Sequence, residues 1–367
     1  MSRKFPVPRS QVIAGIEWPG ERIPYPTARP DEDLSVYGPA YPGFRVEGPC
    51  ARGDTFPMTW AADGELYASA GDPHWGRKPD GLDVEKFSGL PPDYRISKVN
   101  DMPAFTGWGG EGPKPTGLIS VGGVPYLAFQ NLLGKKPPAH GTRSQHGSDA
   151  TIVRSEDFGK TWEPDIRDVE APMFPGCDFG GPAFVNFGQD NVGARDDFVY
   201  AVSSDQWDNG SHLRLGRVPQ DRIMEAEAWE WVAELRLSKY PRWTHNLAEA
   251  VPILSDERRL SLPEMVYLAG IERYLLLTWR LHQDFSNEHG SSLIVYDAPE
   301  PWGPFSLAHY EEYWETKDVN PYCPRLPLKW MEPDGRTGWL QFSGSWRRDS
   351  PHYRSNLRKF RLRMRPG

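Results

Sequence analysis

The stretch Asp54-Thr-Phe-Pro-Met-Thr-Trp60, then Ala61-Ala-Asp63-Gly64-Glu65, then Leu66-Tyr67-Ala-Ser69 reads as strand, turn, strand. Asp-Gly between two apolar runs supplies the positive φ that a tight hairpin turn needs. The unit recurs along the chain. Gly117-Leu-Ile-Ser-Val121 turns at Gly122-Gly123 into Pro125-Tyr126-Leu-Ala-Phe129. Pro182-Ala-Phe-Val-Asn-Phe187 leads through a long loop to Phe198-Val-Tyr200-Ala-Val202. Glu264-Met-Val-Tyr-Leu268 turns at Ala269-Gly270 into Tyr274-Leu-Leu-Leu-Thr-Trp279, and Leu328-Lys-Trp330 turns at Asp334-Gly335 into Gly338-Trp-Leu-Gln-Phe342.

Third strands follow at Ala150–Arg154, His212–Arg217, Ser292–Tyr296 and Leu357–Arg363. The aromatic marks of the second strands, at 67, 126, 200, 274 and 339, are 59, 74, 74 and 65 residues apart. Propeller repeats of about 40–50 residues with added loops fit these gaps. The expected fold is therefore all-β: one domain over 1–367, a five-bladed β-propeller of four-stranded antiparallel blades. Gln11–Trp18 is expected to add the outer strand of the last blade and close the ring, leaving no open edge. A pair of β-sandwiches is the rival architecture, which five similar units disfavour. One helix is expected from Pro219 to about Leu235, where Glu and Ala follow an early proline.

Composition narrows the function. With 13% aromatics, including 15 Trp, the chain can build a core, which excludes a disordered protein. A net charge of −8 argues against a nucleic-acid partner and suits a neutral, hydroxyl-rich ligand. No apolar run is long enough to span a membrane. Met1-Ser-Arg-Lys-Phe-Pro-Val-Pro8 has no leader-like apolar core. A cytoplasmic protein, or a secreted one written without its leader, is expected. Cys50, Cys177 and Cys323 form no CxxC pair and read as reduced, buried thiols. No cofactor is expected, although a structural cation in the central channel is compatible with the fold.

Several motifs carry less than they suggest. Gly107-Trp-Gly-Gly-Glu-Gly112 is followed by Pro-Lys-Pro115 rather than a helix, so it is no dinucleotide loop. Gly159-Lys-Thr161 lacks the upstream glycine of a phosphate loop, Arg154 standing there. Asp205–Gly210 departs from the calcium-loop pattern and reads as a solvated loop. Ser155-Glu-Asp157-Phe-Gly159-Lys-Thr161-Trp162 fits the S-x-D-x-G-x-T-W box of sialidase-like propellers, in which the aspartate ties turn amides and the role is structural.

The carboxylates of the first unit matter most. Asp54 opens one strand and Asp72 ends its antiparallel neighbour, so both fall at one rim of the hairpin. Two carboxylates flanking one bond are what glycoside hydrolysis requires, one as acid and one as base or nucleophile. A separation of about 5–5.5 Å implies retention of configuration, and about 6.5–9.5 Å inversion. Trp60, Trp75 and Trp108 suit stacking on the apolar faces of sugar rings. Turn capping is the alternative role for both aspartates.

The segment from Gly53-Asp54 through Asp63-Gly64-Glu-Leu-Tyr67 to Gly71-Asp72 resembles the opening blade of five-bladed propeller glycoside hydrolases of the endo-D-arabinanase-like group, formerly a domain of unknown function. Phe187-Gly-Gln-Asp-Asn191 with Asp196-Asp197-Phe-Val-Tyr200 is similar to the same group, while Gly216-Arg-Val-Pro-Gln-Asp-Arg-Ile223 and Asp297-Ala-Pro-Glu-Pro-Trp302-Gly-Pro-Phe305 resemble segments of uncharacterised relatives more than the arabinanases proper. The resemblance implies catalysis by two first-blade aspartates, here Asp54 and Asp72.

The expected activity is thus hydrolysis of a poly- or oligosaccharide, with arabinan as one candidate substrate. Further candidates for substrate contact are Trp75, Arg77, Trp108, His146, Asp149, Asn186, Asp190, Glu264 and Trp279, with Arg195 and Asn246 behind them. Glu264 is also an alternative catalytic carboxylate. Two other classes stay open: a uronate lyase using His146, Tyr200 and Arg217, and a non-catalytic sugar-binding propeller.

Overall fold

The computed structural model describes residues 7–20, 53–73, 81–101, 113–131, 147–236, 240–283, 286–315, 319–346 and 352–366. Alternating apolar and small residues pair into antiparallel strands that follow one another up and down. Strand β1 is Ile13–Glu17. A first sheet runs in chain order through β2 (Met58–Trp60), β3 (Leu66–Gly71), β4 (Leu82–Leu90) and β5 (Asp93–Asp101). A second contains β6 (Pro113–Val121), β7 (Val124–Asn131) and β8 (Thr151–Arg154). A third contains β9 (Ala183–Asn186), β10 (Phe198–Ser204), β11 (His212–Pro219), β12 (Glu230–Glu234) and β13 (Arg242–Thr244), with β14 (Leu254–Ser255) on β11. A fourth set contains β15 (Glu264–Leu268), β16 (Arg273–Gln283), β17 (Ser286–Ala298) and β18 (Ser306–Glu311), and the parallel pairing of β15 with β9 joins it to the third as one ten-stranded sheet. The fifth contains β19 (Tyr322–Arg325), β20 (Thr337–Ser343) and β21 (Ser355–Met364), with β1 on the outer side of β21. The chain is all-β.

Among the described residues, five apolar clusters sit between consecutive sheets, and a sixth gathers Trp207, Leu262, Trp279, Tyr322 and Tyr353. Val84, Leu118 and Leu127 join the first to the second, and Ile119, Phe184 and Trp229 the second to the third. Val185, Met265 and Ile294 join the third to the fourth, and Leu277, Leu326 and Phe342 the fourth to the fifth. The last of the five places Met58, Phe87, Trp330 and Leu357 between the fifth sheet and the first. Each large side chain buried this way contributes about 1.5–3 kcal/mol. The first strands of successive sheets also touch directly. Ser120 N–H donates to Thr59 Oγ1 at 2.9 Å, Thr116 Oγ1 to Pro182 O at 2.8 Å, and β9 lies parallel to β15.

Four expectations need correction. The helix over 219–235 is absent: Pro219 ends β11, a 3-10 turn covers Ala226–Ala228, and Trp229 and Trp231 pack into the core beside β11. Leu328–Trp330 is a 3-10 turn, and the first strand of the fifth sheet is β19. Sheet size varies, since the second has three strands and isolated bridges from Ala150 to Phe174 and Arg154 to Glu163, while the third has more than four. The loop 205–210 is not solvated: Gln206, Trp207, Asp208 and Asn209 are buried, and Asp205 Oδ1 accepts the Ser211 and His212 amides. Cys323 is buried and Cys177 half-buried, neither in a disulfide, while Cys50 lies outside the described residues. Ser155 to Trp162 forms a tied turn. Gly159 N–H donates to Ser155 Oγ at 2.7 Å, Thr161 N–H to Asp157 Oδ1 at 2.8 Å, and Trp162 packs on the cluster of the first two sheets.

One feature of β4 runs against the apolar pattern. Asp83 and Glu85 alternate on one face and are each 1% exposed. Burial, and then the Asp83 charge, pushes the Glu85 carboxyl well above its usual range. The folded state therefore keeps a proton on Glu85 that the unfolded chain releases near 4.5, and stability falls as pH rises above that value. Glu85→Gln should raise the unfolding midpoint at pH 8 by the equivalent of about 1–3 kcal/mol and change it little at pH 5. Thermal unfolding at the two pH values checks this.

Candidate functional site

The hairpin of β2 and β3 is in register from Met58 opposite Ala68 to Trp60 opposite Leu66. Beyond it the chain stays paired. Asp54 N–H donates to Gly71 O at 2.9 Å, and Gly71 N–H to Asp54 O at 3.0 Å. This bridge sets Asp54 beside the Gly71-Asp72 end of β3. The backbone bends sharply on both sides: Thr55, Phe56 and Asp72 have φ of 68°, 41° and 48°. Such values are uncommon outside glycine, and strained for a β-branched residue such as Thr55.

Into this bend reaches Lys114, near the start of β6. Its ammonium is 3.0 Å from Asp54 Oδ1 and also contacts Asp72 Oδ2. The approach needs Gly71, since a Cβ there would lie 2.8 Å from both Asp54 Oδ1 and Lys114 Cδ. The fifth sheet supplies two hydroxyls: Tyr322 donates to Asp54 Oδ2 at 3.2 Å and Tyr353 to Asp72 Oδ2 at 3.4 Å. Behind Tyr322 stand Trp279 and Trp346, with ring centroids at 5.6 and 5.1 Å.

The electrostatics follow from burial. Asp54 is 7% exposed. Burial pushes its carboxyl up to about 6, while Lys114 pulls it down and Asp72 pushes it up again. Burial opposes the Lys114 charge, but Asp54 and Asp72 outweigh it and hold the ammonium well above its usual range. Burial and the Asp54 charge keep the Tyr322 hydroxyl protonated, as a donor. The arrangement is chemically a pair of carboxylates on one fixed ammonium, one of them able to carry a proton near pH 6.

Other expected residues are elsewhere. Glu264, at the start of β15, is buried beside Arg325. Burial pushes its carboxyl up to about 7, against the pull of Arg325 and of the Leu326 amide that it accepts. Trp279 is 1% exposed, so it backs Tyr322 and offers no open stacking face. Trp60 lies at the far end of β2 from Asp54, its indole N–H donating to Gly64 O at 3.2 Å. Asp190 accepts Gly123 N–H and Ser120 Oγ–H at the far end of β6 from Lys114. Asn186, at the end of β9, lines a small cavity with Met58, Trp60 and Leu328. Asp149 accepts Gly176 N–H at 2.9 Å, and Asn246 caps a 3-10 turn. Arg195 pairs with Glu300 and covers Trp302.

Tyr200 donates to Asp196, and Arg217, its register partner, pairs with Glu230, so both are engaged away from the aspartates. Trp75, Arg77, Trp108 and His146 lie outside the described residues. Sequence reading did not single out Lys114, Tyr322 or Tyr353. A lysine between two prolines in an otherwise apolar strand was the one available signal. Among the described residues no group of three metal-ligating side chains occurs, and no described helix is long and apolar enough to cross a membrane.

Residues 51–326 match the family model of a domain of unknown function, DUF4185. The match spans most of the chain, which therefore belongs to that family. No curated protein matches it. Among solved structures it is similar to a Bacteroides ovatus protein provisionally described as a hydrolase, at 11% identity and a TM-score of 0.51, covering 86% of this chain and 87% of that one. It is also similar to the α-L-arabinofuranosidase of Podospora anserina in complex with cellotriose, at 12% identity, coverage of 86% and 94%, and a TM-score of 0.47. A mutant α-L-arabinanase of Cellvibrio cellulosa shares 14% identity, coverage of 86% and 93%, and a TM-score of 0.47. Likeness at such identities concerns the fold alone, and the Bacteroides structure carries it.

Replacing Lys114 tests the charge balance. Lys114→Met leaves two buried carboxylates without a counter-charge, a loss of about 3–5 kcal/mol at pH 8. The loss should shrink below pH 5 as Asp54 takes a proton. Wild type itself should gain stability as pH falls from about 6 towards 3.8, because folded Asp54 protonates before an unfolded aspartate does. Unfolding midpoints across pH 4–8 read both effects. Addition of Asp72→Asn to the variant should restore part of the loss.

Proposed function

We propose that the five sheets are the blades of a five-bladed β-propeller, closed by β1, and that the chain is a glycoside hydrolase acting on a neutral poly- or oligosaccharide. The order of the sheets, the five clusters between neighbours and the contact of the last sheet with the first support the ring. The observation that carries the activity is the sharing of one buried ammonium by Asp54 and Asp72.

Two oxygens that both touch one ammonium are at most about 5–6 Å apart. That spacing favours a retaining reaction, in which a nucleophile attacks the sugar and an acid protonates the leaving oxygen. Asp72 is the more exposed of the pair, at 16% of its side chain against 9%, and it takes the role of nucleophile. Asp54, whose carboxyl is pushed up to about 6, takes the role of proton donor. With Asp54 protonated, the Asp72 carboxylate and the Lys114 ammonium balance, which suits a neutral glycan. Arabinan-type furanosides head the candidate substrates, on the resemblance of the first blade.

Reducing-end release from a glycan panel including D-arabinan checks this reading. Wild type should release sugar, and Asp54→Asn and Asp72→Asn should each lose about 10²–10⁴-fold. Product NMR at early times should show the anomeric configuration retained. Release that survives both substitutions would sink the assignment, and binding without release would favour a sugar-binding module.

A further inference from the structure

Arg325 ends β19 and is 1% exposed, one of the largest fully buried side chains. Its Nε donates to Thr55 O at 2.7 Å, and its Nη1 to Pro263 O at 3.0 Å. Thr55 follows Asp54, and Pro263 precedes Glu264. The next residue, Leu326, donates its N–H to the Glu264 carboxylate. Thr55 N–H in turn donates to Ser343 Oγ at 3.0 Å. The fifth sheet thus grips the bent peptides around Asp54 from both sides, and with the same guanidinium it holds the backbone beside a second carboxyl in the fourth sheet.

A buried guanidinium is a costly way to join three sheets. Its two donations go to neutral carbonyls, its charge faces the buried Glu264 carboxyl without a hydrogen bond to it, and Nη2 has no hydrogen-bond partner among the described residues. A fold needing only an apolar filler here would gain nothing from the charge. The planar fork offers what an apolar side chain lacks: two donors at fixed angle, reaching carbonyls of two different sheets at once. It is applied at Thr55, where a β-branched residue is held at φ 68°. Local strain of this kind persists only when neighbours over-determine it.

We propose that Arg325 is a positioning residue. By fixing the Thr55 and Pro263 carbonyls it holds the Asp54 bend, so that the Asp54 carboxylate faces Lys114 and Asp72. The functional arm of this inference rests on the glycosidase reading, and the structural arm does not.

The test uses the full chain carrying Arg325→Lys, which keeps the charge and loses the fork, and Arg325→Met, which removes both. Crystal structures of the variants should show the Asp54 carboxylate withdrawn from Lys114 and Tyr322. On a glycan that wild type hydrolyses, kcat should fall about 10–100-fold in Arg325→Lys and further in Arg325→Met, with KM within about twofold. The pH profile limb belonging to Asp54 should move below 6 as the group gains solvent. An Asp54 that stays in place in either variant, or a folded variant with unchanged kcat, overturns the proposal. A failure of both variants to fold assigns Arg325 to folding and overturns it too. Absence of hydrolysis by wild type would end the glycosidase reading and leave the crystallographic comparison to decide this one.

Discussion

One lysine ammonium between two buried carboxylates is the constraint from which the rest of the rim follows. Water would solvate three such charges well, and the protein interior does so poorly. Lys114 compensates one carboxylate in full, so the second must be solvated by hydroxyls or carry a proton. Both occur here. Tyr322 and Tyr353 each donate to one aspartate, and burial outweighs the lysine at Asp54, whose carboxyl ends above its usual range. Geometry is subordinated to this contact. Gly71 has no side chain because the lysine stem passes there, and Thr55, Phe56 and Asp72 accept positive φ so that both carboxylates turn inward.

The hairpins were legible because their determinants are local. Asp63-Gly64, Gly122-Gly123 and Asp334-Gly335 turn where the pattern demands, and Glu264–Leu268 is a strand as read. The rim placement of Asp54 and Asp72 followed from antiparallel pairing alone. Their partners were not legible, since Lys114 is 60 residues from Asp54, Tyr322 is 268 from Asp54 and Tyr353 is 281 from Asp72. Nothing in a single sequence encodes such encounters. The fifth sheet was misread because Tyr322-Cys-Pro-Arg325 holds a proline and a charge, whereas Leu328-Lys-Trp330 looks more apolar. The helix over 219–235 failed because Glu and Ala propensity yielded to two tryptophans that the core takes up.

The tryptophans serve the core, as their number indicates: Trp229, Trp231, Trp279, Trp314 and Trp330 are all buried among the sheets. Twisted sheets packed face to face leave gaps that broad side chains fill better than short ones. Trp279 shows how packing serves the site indirectly, since it fixes the Tyr322 ring whose hydroxyl reaches Asp54.

The two ends of the strands differ in how their acids are satisfied, and this separates structural from functional carboxylates. At the hairpin end, Asp63 accepts the Glu65 amide and the Tyr67 hydroxyl, Asp196 accepts the Phe198 amide and the Tyr200 hydroxyl, and Asp334 accepts the Arg336 and Thr337 amides. Asp190 instead ties Ser120 and Gly123 of the second sheet, 70 and 67 residues away. Local backbone amides satisfy Asp63, Asp196 and Asp334, so a turn explains those three. At the other end, the side-chain oxygens of Asp54 and Asp72 meet an ammonium and tyrosine hydroxyls from distant parts of the chain, and among the described residues no turn amide is one of their partners. An acid held by neighbours two to four residues away stabilises a turn, whereas one held only by groups that converge from other sheets gains no turn in return. Capping therefore accounts for Asp63, Asp196 and Asp334 and does not account for Asp54 and Asp72.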